Sequence, residues 1–198
     1  MDITIVRHGQ TDLNRRGFIQ GSKVDPELSI QGRAQAEDAA SRFDVSDFDL
    51  VYTSPMRRAR QTAELFVQKK LPILTDDRLK EMDFGSWDGA DTVPLRQKHP
   101  DAFDSEGLLT AAYHQYAPDG ESHEELHDRL ASFLMMLEQQ DQAHHVLLFC
   151  HGVVERMICA HYFTDGDIGF FDQIDNCALS KIRVTSGKAR LLFYDRIL

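Results

Sequence analysis

The sequence predicts an α/β fold with a mostly parallel central sheet. Apolar, β-branched runs at Ile3–Val6, Asp49–Thr53, Pro72–Thr75 and Val146–Cys150 alternate with helix-patterned stretches. The Val146–Cys150 run is apolar without interruption, as in strands buried on both faces. Polar side chains, glycines or helix starts follow the carboxyl ends of these runs, where open α/β sheets place their binding groups.

The first strand, Ile3-Thr4-Ile5-Val6, stops at Arg7-His8-Gly9. Histidine can act as a nucleophile, arginine offers a planar fork of donors that matches phosphate oxygens, and glycine lets the backbone approach a ligand closely. From Asp12 to Pro26 the chain is polar and contains Asn14, Arg15, Arg16, Gly17, Gln20 and Gly21, which reads as a long loop beside this strand end. Ser29 is the N-cap of a helix whose Gly32–Phe43 part is Ala-rich. After the strand at Asp49–Thr53, Ser54-Pro55 reads as a cap followed by proline in the first helical position, with the helix running to about Lys69. Its first turn offers free N–H groups and a positive dipole end to an anion, and one of Arg57 and Arg58 could face the same anion.

A short third strand at Pro72–Thr75 leads to Glu81, which lies among apolar side chains and is a conceivable general acid. Residues 86–117 show few strand signals and read as an inserted cap. Ser122 and Glu125 have capping-box spacing, and the helix they start carries Leu126, Leu130, Phe133, Leu134 and Leu137 on one face. The Val146–Cys150 strand ends in His151-Gly152, a repeat of the opening design, and a helix over Val153–Phe163 follows. Two strand-like runs, Ala178–Thr185 and Ala189–Tyr194, are joined by Ser186-Gly187 as a hairpin.

The 198 residues fit one domain, 1–198, with the cap-like insertion at about 86–117. Twenty-two basic and 32 acidic residues give a net charge of −10, which argues against a nucleic-acid or acidic-membrane surface. A locally basic pocket for a small anion is compatible with that balance. Cys150, Cys159 and Cys177 are widely spaced, odd in number and apolar in surroundings, so they read as buried free thiols in a reducing compartment. No leader or membrane span is visible, and a cytoplasmic location is expected. The sequence carries no signal for oligomeric state. His123-Glu124-Glu125-Leu126-His127 matches the H-E-x-x-H pattern of zinc peptidases. His123 falls in a first helical turn, where solvent-facing polar residues are expected, and no third ligand with recognisable spacing follows.

Taken in order, several segments resemble the histidine phosphatase superfamily, in its phosphoglycerate mutase-like branch. They are Arg7–Thr11 with Asn14, Leu28-Ser29 with Gly32, Gln35 and Ala36, and Ser54–Ala63. Further along come Glu81 with Phe84-Gly85 and Trp87-Asp88-Gly89, then Pro118–Ser122 and Phe149–Gly152. The resemblance spans nearly the whole chain. Departures are Val153 where a second glycine is common, Asp119 where another glycine is common, and Glu155 where an apolar residue usually precedes arginine.

The resemblance implies a three-layer α/β/α sandwich with a mostly parallel sheet and a small inserted cap. It implies that His8 attacks phosphorus and becomes a phosphohistidine, and it selects Arg58 as the phosphate-binding arginine. Arg7, Arg58 and His151 would surround the transferred group, with Asn14 and the Gln20-Gly21 backbone as neutral donors. Glu81 would protonate the leaving oxygen and then activate water. The substrate would be a small phosphorylated metabolite, with no cofactor and no metal, since arginines and histidine supply the charge. The alternative within enzymes is a phosphoglycerate mutase dependent on 2,3-bisphosphoglycerate. A phosphate-ester binding module that turns over poorly and the zinc peptidase are the other classes.

Overall fold

The computed structural model describes residues 1–140 and 145–198. Its elements in chain order are β1 (Asp2–Arg7), α1 (Asp12–Arg15), α2 (Ile30–Ser41), β2 (Leu50–Thr53), α3 (Arg57–Val67) and β3 (Ile73–Thr75). They continue with α4 (Thr92–Lys98), α5 (His123–Glu138), β4 (His145–Cys150), α6 (Gly152–Phe163), β5 (Leu179–Thr185) and β6 (Lys188–Arg196). The strands form one sheet in the order β3-β2-β4-β1-β5-β6. β3, β2, β4 and β1 are parallel, and the β5–β6 hairpin adds two antiparallel strands beside β1. Among the described residues no helix is long and apolar enough to cross a membrane.

Strand alternation sorts the core into two layers. Ile3, Ile5, Tyr52, Val146 and Leu148 face one way and pack with Leu126, Leu130 and Leu134 of α5 and Ile158 of α6. Val6, Val51, Leu147 and Phe149 face the other way and pack with Ala36 of α2 and with Ala63 and Phe66 of α3. The sheet is therefore the middle of three layers, as expected from the resemblance. The apolar run of β4 is buried on both faces because helices cover both.

Several boundaries differ from the sequence reading. The loop after Arg7 contains the four-residue helix α1, closed by a capping box in which Thr11 and Asn14 cap each other. Helix α3 starts at Arg57 rather than Pro55, and Ser54 is not its N-cap. The Ser54 hydroxyl lies 2.8 Å from His151 Nε2, and the first helical N–H, that of Arg57, donates instead to Asp25 at 2.7 Å. A distant carboxylate thus replaces the local cap, a substitution that spacing alone does not reveal. The Ser186-Gly187 turn has positive φ at both residues, 49° and 72°, the conformation a two-residue hairpin needs. Gly32 is required by close approach: a Cβ there would lie 1.9 Å from the Gln10 carbonyl oxygen.

Residues 86–117 contain α4 and short 3₁₀ turns. Trp87 organises them, stacking on Phe103 and on Tyr116 with ring centroids 6.1 Å apart in each case. This aromatic packing joins the core layer of α5 and α6. All three cysteines are buried and free, in agreement with the sequence reading.

Candidate active site

β1, β4 and β2 lie side by side, and their carboxyl ends bring His8, His151 and Ser54 together. The His8 and His151 rings are 5.2 Å apart, edge to face, and both are buried. His8 Nδ1 is 2.8 Å from the Gly9 carbonyl oxygen. A carbonyl only accepts, so Nδ1 carries the proton and Nε2 carries the lone pair. Arg58 Nε–H donates to that Nε2 at 3.2 Å. Burial, with the charges of Arg58 and Arg7, holds the His8 pKa well below its usual value. The ring is a neutral imidazole with a directed lone pair. Burial, followed by the charge of Arg58, lowers His151 in the same way. Its Nδ1 is buried without a partner.

Arg58 is fully buried, and its side chain is caged by backbone carbonyls. It donates to Val24 at 3.1 Å, to Gln20 at 3.4 Å and to Gly21 at 3.3 Å, with Asp25 at 3.9 Å. Burial lowers its pKa to about 10, so it stays charged at neutral pH. Arg7 donates to the Ile174 carbonyl. The amide orientation of Gln173 that satisfies both partners lets its oxygen accept from Arg7 at 3.2 and 3.3 Å. Arg7 Nε is buried without a partner.

Glu81 is 6% exposed. Its two oxygens accept from the N–H groups of Met82 at 2.9 Å and Val153 at 3.2 Å. Burial raises its pKa above the ordinary carboxylate value, against the pull of those N–H groups and of Arg58 and Arg7. Met82 and Val153 also line a cavity of about 180 Å³, whose walls include Ile19, Phe84, Phe103 and His123. A larger open groove of about 680 Å³ runs past Glu64 and Ile73 at the amino-terminal end of β3, the opposite end of the sheet from these groups.

The remaining predicted residues have different surroundings from those expected. Asn14 uses its side-chain oxygen to accept from Thr11 N–H at 3.2 Å, which leaves its NH₂ to donate elsewhere. The Gly21 N–H is committed to Asp88 Oδ1. The carbonyls of Gln20 and Gly21 face Arg58, so this backbone holds the arginine rather than presenting donors to a ligand. His123 is not turned to solvent: it lines the cavity, and burial lowers its pKa to about 4. His127 Nε2 is 3.1 Å from His161 Nδ1. Among the described residues no group of three or more His, Cys, Asp or Glu could hold a metal ion.

Sequence reasoning missed the supports. Thr62 accepts from Gly9 N–H at 3.0 Å and donates to the Arg58 carbonyl at 2.8 Å, tying the end of β1 to α3. Asn176 donates to the His8 carbonyl at 2.8 Å. Gln173 and Asn176 lie in the connection before β5, where no local pattern marks them.

The chain is 32% identical over 174 residues to the probable phosphatase C1687.21 of Schizosaccharomyces pombe, spanning 86% of this chain and 77% of that protein. It is 28% identical over 195 residues to the putative phosphoserine phosphatase 2 of Hydrogenobacter thermophilus, spanning 98% and 94%. A mycobacterial glucosyl-3-phosphoglycerate phosphatase solved with VO3 superposes with a TM-score of 0.84 at 25% identity, covering 98% of each chain. The family model described as histidine phosphatase superfamily, branch 1, matches residues 3–196, and the chain belongs to that superfamily.

Proposed function

We propose that this chain hydrolyses small phosphomonoesters through a phosphohistidine on His8. The observation that carries the reading is the fixed tautomer of His8, whose Nε2 lone pair points at a fully buried arginine. As an ester enters, the Arg58 N–H shifts from Nε2 to a phosphoryl oxygen. Nε2 attacks phosphorus, the bond to the ester oxygen breaks, and Glu81 gives that oxygen its proton. Arg7, Arg58 and His151 hold the equatorial oxygens, where transition-state charge is spread. Water then attacks the phosphohistidine, Glu81 takes its proton, and inorganic phosphate leaves. Asn14 is a neutral donor to the same group. Gln20 and Gly21 contribute by holding Arg58.

Residues 86–117 are the proposed cover of the leaving-group side within a single domain. A screen of phosphomonoesters tests the function directly. The first panel should include O-phosphoserine and glucosyl-3-phosphoglycerate, the esters named for similar proteins. Phosphate release from none of a broad panel would overturn the reading.

The proposed chemistry needs no metal, so activity should survive exhaustive chelation. Loss of activity to a chelator, with recovery on added zinc, would revive the H-E-x-x-H reading.

Phosphatase action is expected to exceed mutase action. A mutase must hold a second phosphate, and the cap offers only Arg96 and Lys98 against Asp88, Asp91, Asp101, Asp104 and Glu106. Arg96 is already engaged with the Gly107 carbonyl at 2.7 Å and lies over the Phe103 ring. On the first loop, Arg15 pairs with Asp12 at 3.2 Å and Arg16 lies over Phe18. A coupled mutase assay with added 2,3-bisphosphoglycerate, run beside phosphate release, should show little isomerisation of 3-phosphoglycerate. Isomerisation faster than release would place a second anion site at Arg15 and Arg16.

A further inference from the structure

Behind the phosphate-facing groups lies a carboxyl that the proposed reaction does not use. Glu155, on α6, is fully buried, and its oxygens make no well-formed hydrogen bond, with only the Ser180 hydroxyl on β5 near enough to pull on them. It sits between Val154 and Arg156 on a helix whose buried residues are otherwise mostly apolar. A buried carboxylate without a partner is costly unless a cation balances it or a proton neutralises it. The cation whose charge favours ionised Glu155 is Arg7, whose Nε is buried and unpartnered. Arg7 therefore feels the charge of a buried carboxyl and, in the reading above, that of a phosphoryl group as well.

We propose that Glu155 is a positioning residue for Arg7, a buried counter-charge that takes up a proton from solvent when a dianionic phosphoryl group binds. With the site empty and the pH above about 8, ionised Glu155 balances Arg7. With a dianion bound, the guanidinium is shared between two negative groups, and protonating Glu155 returns its full charge to the ligand.

The surroundings fit a group poised near neutrality. Burial is the largest influence on Glu155 and pushes its pKa up to about 8, against the pull of the Ser180 hydroxyl on β5 and of Arg7 on β1, while Asp195 on β6 adds to the rise. Cys150 on β4, Cys159 on α6 and Tyr194 on β6 also feel its charge, and burial pushes all three well above their ordinary values, so they stay neutral. Arg7 is faced in turn by Glu81, Asp175 and Asp195. Of these, Glu81 also lies beside the ligand and needs its own control. His8 and His151 are held well below their usual pKa, so they do not change charge above neutrality.

This inference rests on the phosphate site proposed above, and the test separates the two. Sulfate serves as the probe because its charge is constant over the range. Calorimetric titration of the full chain in buffers of different ionisation enthalpy reads both affinity and protons taken up. Sulfate binding should take up almost no proton at pH 6 and most of one proton at pH 9. Its affinity should fall roughly tenfold between about pH 8 and 9.5. Glu155→Gln should abolish both effects, whereas Glu81→Gln should retain them. Binding by the wild type without proton uptake at pH 9 would overturn the inference and leave the phosphate site standing, and this arm needs no variant. Unchanged uptake in Glu155→Gln, or in Glu155→Ile if the first variant folds poorly, would overturn it as well. Absence of sulfate binding at every pH would overturn the phosphate site and this inference together.

Discussion

Replacing His8 with alanine should remove at least ~100-fold of turnover, together with all alkali-stable, acid-labile trapping of label from a phosphorylated substrate. The expectation follows from what the ring is built to do. Gly9 fixes the proton on Nδ1, burial keeps the ring neutral, and Nε2 is left as the one atom able to attack. Alanine removes that atom, while Cys150 still receives the backbone N–H at 3.0 Å and Asn176 still donates to the carbonyl. The fold should therefore persist, and a melting curve measured beside the kinetics checks this. A folded His8→Ala protein that still carries label after an alkaline denaturing quench would show that another residue is the nucleophile.

Glu81→Gln should separate substrates by leaving group. Esters of aliphatic alcohols need a proton on the departing oxygen, and their turnover should fall by ~10²–10⁴-fold. An activated aryl phosphate leaves without that proton, and its formation of phosphoenzyme should change by less than about tenfold. The structure explains why this carboxyl can serve. Burial raises its pKa, so it holds a proton at a higher pH than an exposed glutamate does. The backbone donors of Met82 and Val153 fix its direction. Glutamine can accept from only one of those two N–H groups, so a loss of about 1 kcal/mol in stability accompanies the change. Equal losses for both substrate types would show that Glu81 does not protonate the leaving group.

What could be read from the sequence was whatever has a local signature. Apolar strands announced themselves by composition, with Arg7-His8 and His151 at their carboxyl ends, while the register that sets Arg7 opposite Cys150 needed the structure. The capping box at Ser122 and Glu125 is present as read. Features made by residues distant in sequence were not legible. Asp25 caps α3, so the local Ser54-Pro55 signal misplaced the helix start by two residues. Gly21 looked like a donor because nothing nearby in sequence shows that Asp88 takes its N–H. His123 looked solvent-facing because its position in the first turn was legible while the cap lying over it was not. Glu155 was visible only as a departure from the family pattern, and its lack of a well-formed hydrogen bond needed three dimensions.

The order of the strands has a kinetic consequence. β1, which carries Arg7 and His8, pairs with β4 on one side and β5 on the other, and both are made late in synthesis. β2 and β3 can pair with each other early, but β2 meets β4 and never β1. Pairings between distant parts of a chain close slowly, because loop entropy must be overcome before the contact forms. During translation the opening strand thus waits without either neighbour until β4 and β5 have left the ribosome. Its apolar faces and open edges stay exposed for that time, a period in which chaperone binding or aggregation competes with folding. Recovery of catalytic activity after dilution from denaturant should consequently lag behind recovery of helical signal.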